Sequence, residues 1–351
     1  MKIRTNALAG IALAATAALG LAACGSGSSA TAGSSAAANG SSAGEITVYN
    51  AQHESLTKEW IDAFTAETGI KVTVRQGDDT EMSNQIVQEG QASPADVFLT
   101  ENSPAMAQVE NAGLFADVDK ATVDQVPAEF RPSTNKWTGI AARSTVLVYD
   151  KNKISADKLP KSMLDLANPE WKGKWAASPS GADFQAIVAA MLSLKGEQAT
   201  TDWLKAMKDN AVIYRGNTAA MKGVNADEVS GAVIYHYYYF GDKAKTGENS
   251  DHVALHFFKG QDPGAFVSVS GGGVLKSSKH KEQALAFLKW IAGKGGQDVL
   301  KTGTSFEYAV GNGADSNAAL PPLAMLEAPT VDPSSLDSKK VTELMTAAGL
   351  I

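Results

Sequence analysis

The feature that most constrains the fold of this chain is a regular alternation of short apolar segments with amphipathic helical ones. Residues 46–49 are apolar and β-branched, as in a buried strand. Residues 56–68 place their large apolar side chains on one helical face, and Gly69 then provides a typical helix C-cap. Another strand is predicted at 71–75. Strand, helix and strand in this order predict a mainly parallel sheet with helices on both faces.

The alternation starts again near residue 175, which indicates a second α/β domain. Further strands are predicted at 95–99, 145–149, 175–177, 212–214, 231–235, 253–258, 266–269 and 273–275. Further helices are predicted at 81–89, from Ser103 onward, and at 183–194, 198–208, 281–291 and 338–347, with the Pro-rich residues 319–333 wrapping the surface. Two such α/β lobes joined by more than one crossing predict a hinged cleft, with ligands bound beyond the carboxyl ends of the strands.

The N-terminal residues predict export from the cytoplasm. Two basic residues precede an apolar stretch at 7–19, which ends in Leu-Ala-Ala-Cys at 21–24. The stretch is too short for a membrane span, so residues 1–23 are interpreted as a cleaved lipoprotein signal peptide. Cys24 would then carry the lipid anchor. It is the only cysteine of the chain, which excludes internal disulfides.

The segment between Cys24 and Gly44 consists almost wholly of Ser, Ala and Gly. It has no large apolar residue to bury, so residues 24–44 are predicted to form a flexible tether. A globular part beginning at Glu45 would hang from the outer face of the cell membrane. Because a single acyl chain binds a bilayer weakly, a multiply acylated cysteine is expected.

Charge and motifs exclude several functions. The formal net charge of −7 disfavours nucleic acid as a partner. The sequence has no H-E-x-x-H or Walker motif and no strand-to-helix turn of the G-x-S-x-G kind. A metalloenzyme with His53 and Glu101 as ligands and Glu54 as base is the enzymatic alternative, but no catalytic constellation supports it. We therefore expect a binding protein and not an enzyme.

Two polar residues follow predicted strands directly and are expected to face the cleft. His53 comes after the first strand, and Glu101 comes after the strand at 95–99. Both positions lie at carboxyl ends of strands in a parallel sheet, where ligands bind. The alternatives are an ordinary loop histidine and a carboxylate that interacts with the N-terminus of the helix beginning near Ser103.

Tyr237 and Tyr238 are adjacent in the run Tyr-His-Tyr-Tyr-Tyr at 235–239. A strand would send neighbouring side chains to opposite faces, so both phenols can reach one ligand only if the backbone turns there. A helix that begins at Tyr237 would supply that turn. The alternative is an aromatic core cluster, although several buried tyrosine hydroxyls would then need hydrogen-bond partners.

Together these segments resemble the periplasmic ferric-ion-binding proteins over nearly all of residues 46–351. The matching segments are Ile46-Thr47-Val48-Tyr49-Asn50 with Gln52-His53; Ser93-Pro94-Ala95-Asp96-Val97-Phe98 running to Glu101; Arg143-Ser144 ahead of Val148-Tyr149-Asp150; Pro179-Ser180-Gly181-Ala182; Tyr237-Tyr238; and Asp262-Pro263-Gly264-Ala265 with Ser270-Gly271.

The resemblance implies the type II periplasmic-binding-protein fold, in which two lobes enclose the ligand. The N-lobe would comprise residues 45–145, completed by about 267–317, and the C-lobe residues 146–266, completed by about 318–351. It also implies a monomeric receptor that delivers its ligand to the membrane permease of an ABC importer.

The family's ferric-iron ligands are one histidine, one glutamate and two adjacent tyrosines, which fall onto His53, Glu101, Tyr237 and Tyr238. Ferric iron is a hard ion that prefers charged oxygen donors. Two phenolates and one carboxylate would neutralise its three positive charges. Because a bound cation drives deprotonation of its ligands, binding would release protons and weaken in acid.

Four protein ligands leave octahedral positions open, and family members often fill them with phosphate or carbonate. Ser180, Gly181 and Ala182 precede a predicted helix, so their backbone amides are candidate anion contacts, or else a simple N-cap. Arg143 is a further candidate, with a structural role in the interlobe strand as the alternative.

The candidate anion site departs from the phosphate-using pattern, so the anion stays open. Asn217 agrees with that pattern, but Asn102 stands where that subgroup has glutamine and Tyr235 where it has asparagine. Tyr235 or His236 is therefore considered as an extra donor.

A receptor of the same fold for a polyamine, thiamine or an organic anion is the alternative function. Tyr237 and Tyr238 would then form a stacking or hydrogen-bonding wall. Visible colour on iron loading distinguishes the two hypotheses, because only a phenolate bound to ferric iron absorbs.

Overall fold

The computed structural model describes residues 44–351. The predicted signal peptide, the lipidated Cys24 and nearly all of the tether lie outside the described residues. Among residues 44–351, no helix is long and apolar enough to cross a membrane. The strands are β1 (Glu45–Asn50), β2 (Lys71–Gln76), β3 (Val97–Leu99), β4 (Thr138–Asp150), β5 (Trp175–Ala177), β6 (Ala211–Ile213), β7 (Gly231–Tyr235), β8 (Val253–His256) and β9 (Val267–Val274).

Helices follow most of these strands, as the alternating pattern predicts. They are α1 (Glu54–Thr68), α2 (Asp79–Glu89), α3 (Ser103–Asn111), α4 (Lys120–Val123), α5 (Ala182–Lys195), α6 (Glu197–Asn210), α7 (Asn217–Asn225), α8 (His236–Lys245), α9 (Lys281–Ala292), α10 (Lys294–Thr302) and α11 (Ser338–Ala347). Gly69 ends α1 in the predicted left-handed conformation, with φ 73°. The predicted α/β fold class is confirmed.

The strands form one curled sheet in the order β2-β1-β3-β9-β4-β7-β5-β6, with β8 also paired to β4. At one end β2, β1 and β3 are mutually parallel, and at the other end β7, β5 and β6 are mutually parallel. Between them β9 and β4 run antiparallel to their neighbours. Each parallel group therefore has its own set of strand carboxyl ends, beyond which ligands bind in such sheets. The two antiparallel strands connect the groups.

β4 is much longer than the predicted strand at 145–149, and it connects the two groups. Its first half, Thr138–Ser144, pairs with β9, and its second half pairs with β7 and β8. Every residue of β4 except Tyr149 is buried. The small residues of the first half have weak strand propensity, so pairing to β9 decides their conformation.

β9 is one strand and not the two short strands predicted at 266–269 and 273–275. The intervening segment is Ser-Gly-Gly, a composition that disfavours strands. Hydrogen bonding on both sides nevertheless keeps it extended, because β9 lies between β3 and β4. Large side chains close over these glycines: a Cβ at Gly273 would collide with Phe115, which explains the need for glycine there.

The core beside the β1 end is built on α1. Trp60 and Phe64 are buried, and the Trp60 indole nitrogen donates a 2.9 Å hydrogen bond to the carbonyl oxygen of Gly296 in α10. Phe64 packs against Phe287 of α9, with ring centroids 4.9 Å apart. Burial of each such side chain contributes on the order of 1.5–3 kcal/mol. This packing fixes the start of α1, and with it His53.

The core beside the β7 end is built on α5 and α6. Trp203 of α6 packs against Trp175 of β5 and against Phe184 of α5, with ring centroids 5.8 and 6.3 Å apart. The C-terminal helix α11 packs on α5 and α3 with the bounds that the sequence predicts. The N-terminus of α5 is thereby held at the edge of the sheet, close to α3.

Three helices, α4, α7 and α10, were not among the predicted elements. α4 is a single turn, and α10 contains the helix-disfavouring pair Gly295-Gly296. A Cβ at Gly296 would overlap the backbone of Ile291 in α9. Close packing of α10 against α9 therefore requires glycine at this position. Because glycine has a low helix propensity, the sequence pattern does not predict α10.

Candidate functional site

The four residues that the family resemblance implies as metal ligands lie together. The Nε2 atom of His53 is 3.0 Å from the Glu101 Oε1 atom. The His53 ring meets the edge of Tyr237, with centroids 4.8 Å apart, and the Tyr237 and Tyr238 rings are 4.3 Å apart. The carboxyl ends of β1 and β3 thus face the residues that follow β7.

The backbone turns where the tyrosine pair requires it. β7 ends at Tyr235 and α8 begins at His236, so the predicted turn is present one residue earlier than expected. Consecutive side chains on a helix project about 100° apart, and here both hydroxyls converge. Tyr237 and Tyr238 donate hydrogen bonds of 3.0 and 3.1 Å to one oxygen, Oδ2 of Asp183.

Asp183 is a central site residue that sequence reasoning assigned only to a helix start. Its side chain is almost fully buried, and besides both tyrosines it accepts hydrogen bonds from Asn217 at 2.8 Å and Asn102 at 3.0 Å. It lies in the first turn of α5, where the helix dipole favours a negative charge. An acidic residue directly after Ser-Gly-Ala was the signal available in the sequence.

The surroundings of both tyrosines favour the neutral phenol. Burial and the nearby charge of Asp183 raise the pKa of Tyr237 well above its usual value. The same two causes raise the pKa of Tyr238. A cation that displaces both phenolic protons must therefore interact strongly with the oxygens.

Glu307 is a second site residue that sequence reasoning missed. It is fully buried, and its Oε1 atom lies 2.9 Å from His53 Nδ1. Its Oε2 atom lies 2.5 Å from an Arg143 guanidinium nitrogen and 3.2 Å from Gln52 Nε2. Glu307 follows neither a predicted strand nor a motif, so only the three-dimensional contacts reveal it.

His53 lies between two carboxylates. Burial alone would lower the pKa of His53, but the hydrogen bond to Glu307 and the charges of Glu101 and Glu307 outweigh it and raise the pKa to about 9. Burial raises the pKa of Glu101 although the His53 charge opposes it. At neutral pH the imidazolium of His53 therefore adds a positive charge to that of the Arg143 guanidinium, which is paired with Glu307.

Asp79 orients the segment that carries Glu101. Its two carboxylate oxygens accept hydrogen bonds from the backbone N–H groups of Glu101 and Asn102, at 3.0 and 2.9 Å. Asp79 is buried in the first turn of α2. These bonds hold the loop after β3 so that the side chains of Glu101 and Asn102 project into the cleft.

The predicted anion contacts are placed in three different ways. Arg143 is fully buried and bound to Glu307 and Gln52, below the ring of Tyr237. Asn102 and Asn217 both donate to Asp183. Ser180 is exposed, whereas Gly181 and Ala182 line a cavity of about 390 Å³ that also includes His53, Glu101 and Tyr238.

Tyr235 and His236, the candidate extra donors, are both fully buried. The Tyr235 hydroxyl donates to Asn102 Oδ1 at 3.3 Å. Nδ1 of His236 accepts the backbone N–H of Ser144 at 3.1 Å, and its ring stacks on Tyr308 with centroids 4.7 Å apart. Burial lowers the pKa of His236 to about 4, so the ring stays neutral.

Within residues 44–351, no three side chains of the His, Cys, Asp and Glu types are grouped so as to hold a metal ion. Two phenols, two carboxylates and one imidazole form a donor set dominated by hard oxygen atoms, which suits a small, highly charged cation.

Comparison with known proteins agrees with this fold. The model of a family described as "Bacterial extracellular solute-binding protein" matches residues 92–333. The chain is 66% identical over 306 residues to the Fe(3+)-binding periplasmic protein of Serratia marcescens, covering 87% of this chain and 90% of that protein. It is 37% identical to the major ferric iron-binding protein of Neisseria meningitidis serogroup B, covering 87% and 93% of the two chains.

Among solved structures, the fold is similar to that of iron-bound HitA from Pseudomonas aeruginosa. The TM-score is 0.82 and the sequence identity 38%, with 87% of this chain and 99% of that chain covered. The predicted two-lobed fold is thereby confirmed.

Proposed function

The chain belongs to the bacterial extracellular solute-binding proteins, within the group of periplasmic ferric-ion-binding proteins, and from this premise we propose that it captures ferric iron outside the cytoplasm for import. The family consists of binding proteins and not of enzymes, which agrees with the expectation from the sequence. The names of two relatives, an Fe(3+)-binding periplasmic protein and a major ferric iron-binding protein, support this proposal.

The observation that carries the proposal is the convergence of the two phenol oxygens. The Tyr237 and Tyr238 hydroxyls reach one carboxylate oxygen at 3.0 and 3.1 Å, so one small ion can contact both. His53 Nε2 and Glu101 lie 3.0 Å apart beside them. We propose that these four residues bind the iron through one nitrogen and three anionic oxygens.

Asp183 is proposed as a further oxygen ligand, in the position that an external anion would otherwise fill. Its Oδ2 atom already lies at the point where both phenols converge, and Asn217 and Asn102 orient the carboxylate. Two phenolates and two carboxylates more than neutralise a trivalent ion. A bound phosphate or carbonate at Ser180, Gly181 and Ala182, with Asn217, is the alternative that an anion-dependence experiment distinguishes.

Binding is proposed to exchange protons for iron. Burial and nearby acids favour a proton on each tyrosine. The acids beside His53 outweigh its burial and raise its pKa to about 9, which favours a second proton on the imidazole at neutral pH. Iron must displace the phenolic protons and the Nε2 proton. Acid restores all three, so affinity falls as the pH is lowered.

Closure of two lobes over the iron is proposed, with the N-lobe at 45–145 plus 267–317 and the C-lobe at 146–266 plus 318–351. His53 and Glu101 then belong to one lobe, and Asp183 with both tyrosines to the other. The hydrogen bond from Asn102 to Asp183 joins the two lobes beside the site. We propose a monomer, attached through Cys24 to the membrane, that presents its closed form to an ABC permease.

Titration of the soluble domain with ferric citrate tests the proposal. We expect a saturable visible band at one iron per chain, from phenolate bound to ferric iron, that bleaches on acidification. Tyr238→Phe should lose the tight binding while remaining folded, because it removes one anionic donor and little volume.

Tyr239→Phe is the matched control for that variant. Tyr239 is the next residue of the same helix, and it packs against Phe240 and Lys243 instead of contacting Asp183. It should bind iron as the unmodified protein does. If no band forms in the unmodified protein, the receptor binds another solute, such as a polyamine, thiamine or an organic anion, with the tyrosines as a wall.

A further inference from the structure

We propose that Glu307 is a positioning residue for iron capture, which holds the His53 imidazole with Nε2 facing the cleft. The inference rests on the proposed function, since it concerns how one of the proposed ligands is oriented. Nothing in the sequence pattern assigns a role to Glu307.

The contacts of Glu307 leave it one orientation. One carboxylate oxygen lies 2.9 Å from His53 Nδ1, and the other lies 2.5 Å from Arg143 and 3.2 Å from Gln52. Ser270 also donates to this second oxygen, at 3.4 Å. Glu307 has no solvent exposure, so water does not compete for these bonds.

Imidazole can bind a metal ion only through a nitrogen that carries no proton, and either nitrogen can be that atom. A carboxylate at Nδ1 accepts the Nδ1–H, so Nε2 is the nitrogen that gives up its proton when a metal ion binds. Because Nε2 is the atom next to Glu101, this ring orientation directs the metal-binding nitrogen into the cleft. A carboxylate partner also makes the histidine a stronger donor to the metal.

The backbone before Glu307 is strained in a way that serves this placement. Phe306 has φ 54°, in the left-handed region that a bulky side chain rarely adopts. Directly after Glu307, Tyr308 exchanges two backbone hydrogen bonds with Ala142 of β4, at 2.8 and 3.0 Å. Glu307 is thus fixed to the strand that carries Arg143, and the unfavourable turn at Phe306 persists where it directs a carboxylate inward.

The inference can be tested with variants of Glu307, using as a control a second contact between a buried carboxylate and a histidine elsewhere in the protein. Glu307→Gln keeps the shape and removes the charge, and Glu307→Ala removes the contact. Asp96→Asn is the control, because Asp96 is also a buried carboxylate, with an oxygen 3.3 Å from His280 Nδ1, at the opposite end of β3 from Glu101.

We expect Glu307→Gln and Glu307→Ala to weaken iron binding by about 10–100-fold in competition with a chelator, a loss typical of outer partners of metal-bound histidines. Asp96→Asn should bind as the unmodified protein does. The loss should vanish in a His53→Ala background, because a positioning residue has no effect once the residue it positions is gone. A purely structural role would persist in that background.

Spectroscopy of the histidine gives a second readout. With ¹⁵N-labelled histidine and gallium(III) as a diamagnetic probe, His53 should show a slowly exchanging Nδ1–H. This signal should be lost or exchange rapidly in Glu307→Gln, while Asp96→Asn keeps it. Unaltered iron affinity and an unaltered Nδ1–H signal in folded Glu307→Gln would overturn the inference.

The two proposals fail in different ways. If His53→Ala binds iron as tightly as the unmodified protein, the ligand assignment itself is wrong. If His53→Ala loses affinity but the Glu307 variants do not, only the positioning role is wrong. Should Glu307→Ala fail to fold because Arg143 loses its partner, Glu307→Gln alone decides the outcome.

Discussion

At the scale of single residues, the site depends on pairs of groups that no local pattern connects. Asp183 accepts hydrogen bonds from the hydroxyls of Tyr237 and Tyr238, which lie 54 and 55 positions away in the chain. Glu307 is 254 positions from His53. Both acids are buried, and burying a carboxylate is costly unless it is paired. Each is satisfied by several donors, which explains how the cleft tolerates so many acidic groups close together.

Asp183→Asn tests whether the protein supplies its own anion. The substitution keeps the size of the side chain and removes a negative charge from the point where both phenols converge. We expect iron affinity to fall by more than about 100-fold, beyond the loss typical of an outer partner. Affinity is measured by chelator competition with and without phosphate.

Phosphate dependence separates the two candidate anions. Iron binding by the unmodified protein should be the same with and without phosphate, whereas phosphate should partly restore binding in Asp183→Asn. Binding that requires phosphate in the unmodified protein would instead favour an external anion at Ser180, Gly181 and Ala182.

At the scale of elements, helix N-termini direct the functional side chains. Asp183 lies in the first turn of α5, and Tyr237 and Tyr238 lie in the first turn of α8. The positive end of each helix dipole favours the carboxylate, and it would also favour phenolates at the two proposed tyrosine ligands. These helices start directly or shortly after β5 and β7, so the sheet edge and the helix ends together fix the donors.

Two glycine-to-alanine changes test how closely the helices must pack. Gly296→Ala in α10 places a methyl group against the backbone of Ile291 in α9, and overpacking of this kind costs about 1–3 kcal/mol. Gly241→Ala in α8 meets no atom within 4 Å, so it should stabilise by about 0.5–1 kcal/mol through helix propensity. Denaturant unfolding of the metal-free protein measures both. Equal effects of the two substitutions would contradict the packing argument.

At the scale of the whole molecule, the antiparallel strands β4 and β9 connect the two parallel strand groups. The proposed ligands divide between those groups, since His53 and Glu101 follow β1 and β3, and the tyrosines follow β7. An ion that binds both sets stabilises the arrangement in which they meet. We therefore expect iron to favour closure through its differential affinity for that state.

Small-angle scattering checks this expectation. The iron-loaded domain should have a smaller radius of gyration than the metal-free domain. The combined variant Tyr237→Phe/Tyr238→Phe should show no such change on addition of iron, since it lacks both phenolates. Identical profiles of the unmodified domain with and without iron would contradict a hinged receptor.

The predicted elements agree with the structure where helical periodicity is strong, as in α1, α6 and α11. Where the prediction missed an element or its length, the residues concerned have a low propensity for the conformation they adopt. Glycine-rich α10 and the small residues of β4 lack the propensity of their elements, and neighbouring helices and strands impose the conformation instead.

The sequence by itself determined the α/β class, because hydrophobic periodicity is a local property of the chain. It also indicated four residues that the fold brings together: His53 and Glu101 because they follow strands, and the tyrosine pair because of a resemblance. Only the tertiary structure brought Asp183 beneath the phenols and Glu307 behind His53. Those contacts join segments far apart in the chain, and it is the packing of the sheet and helices, not local propensity, that decides which distant acids become neighbours.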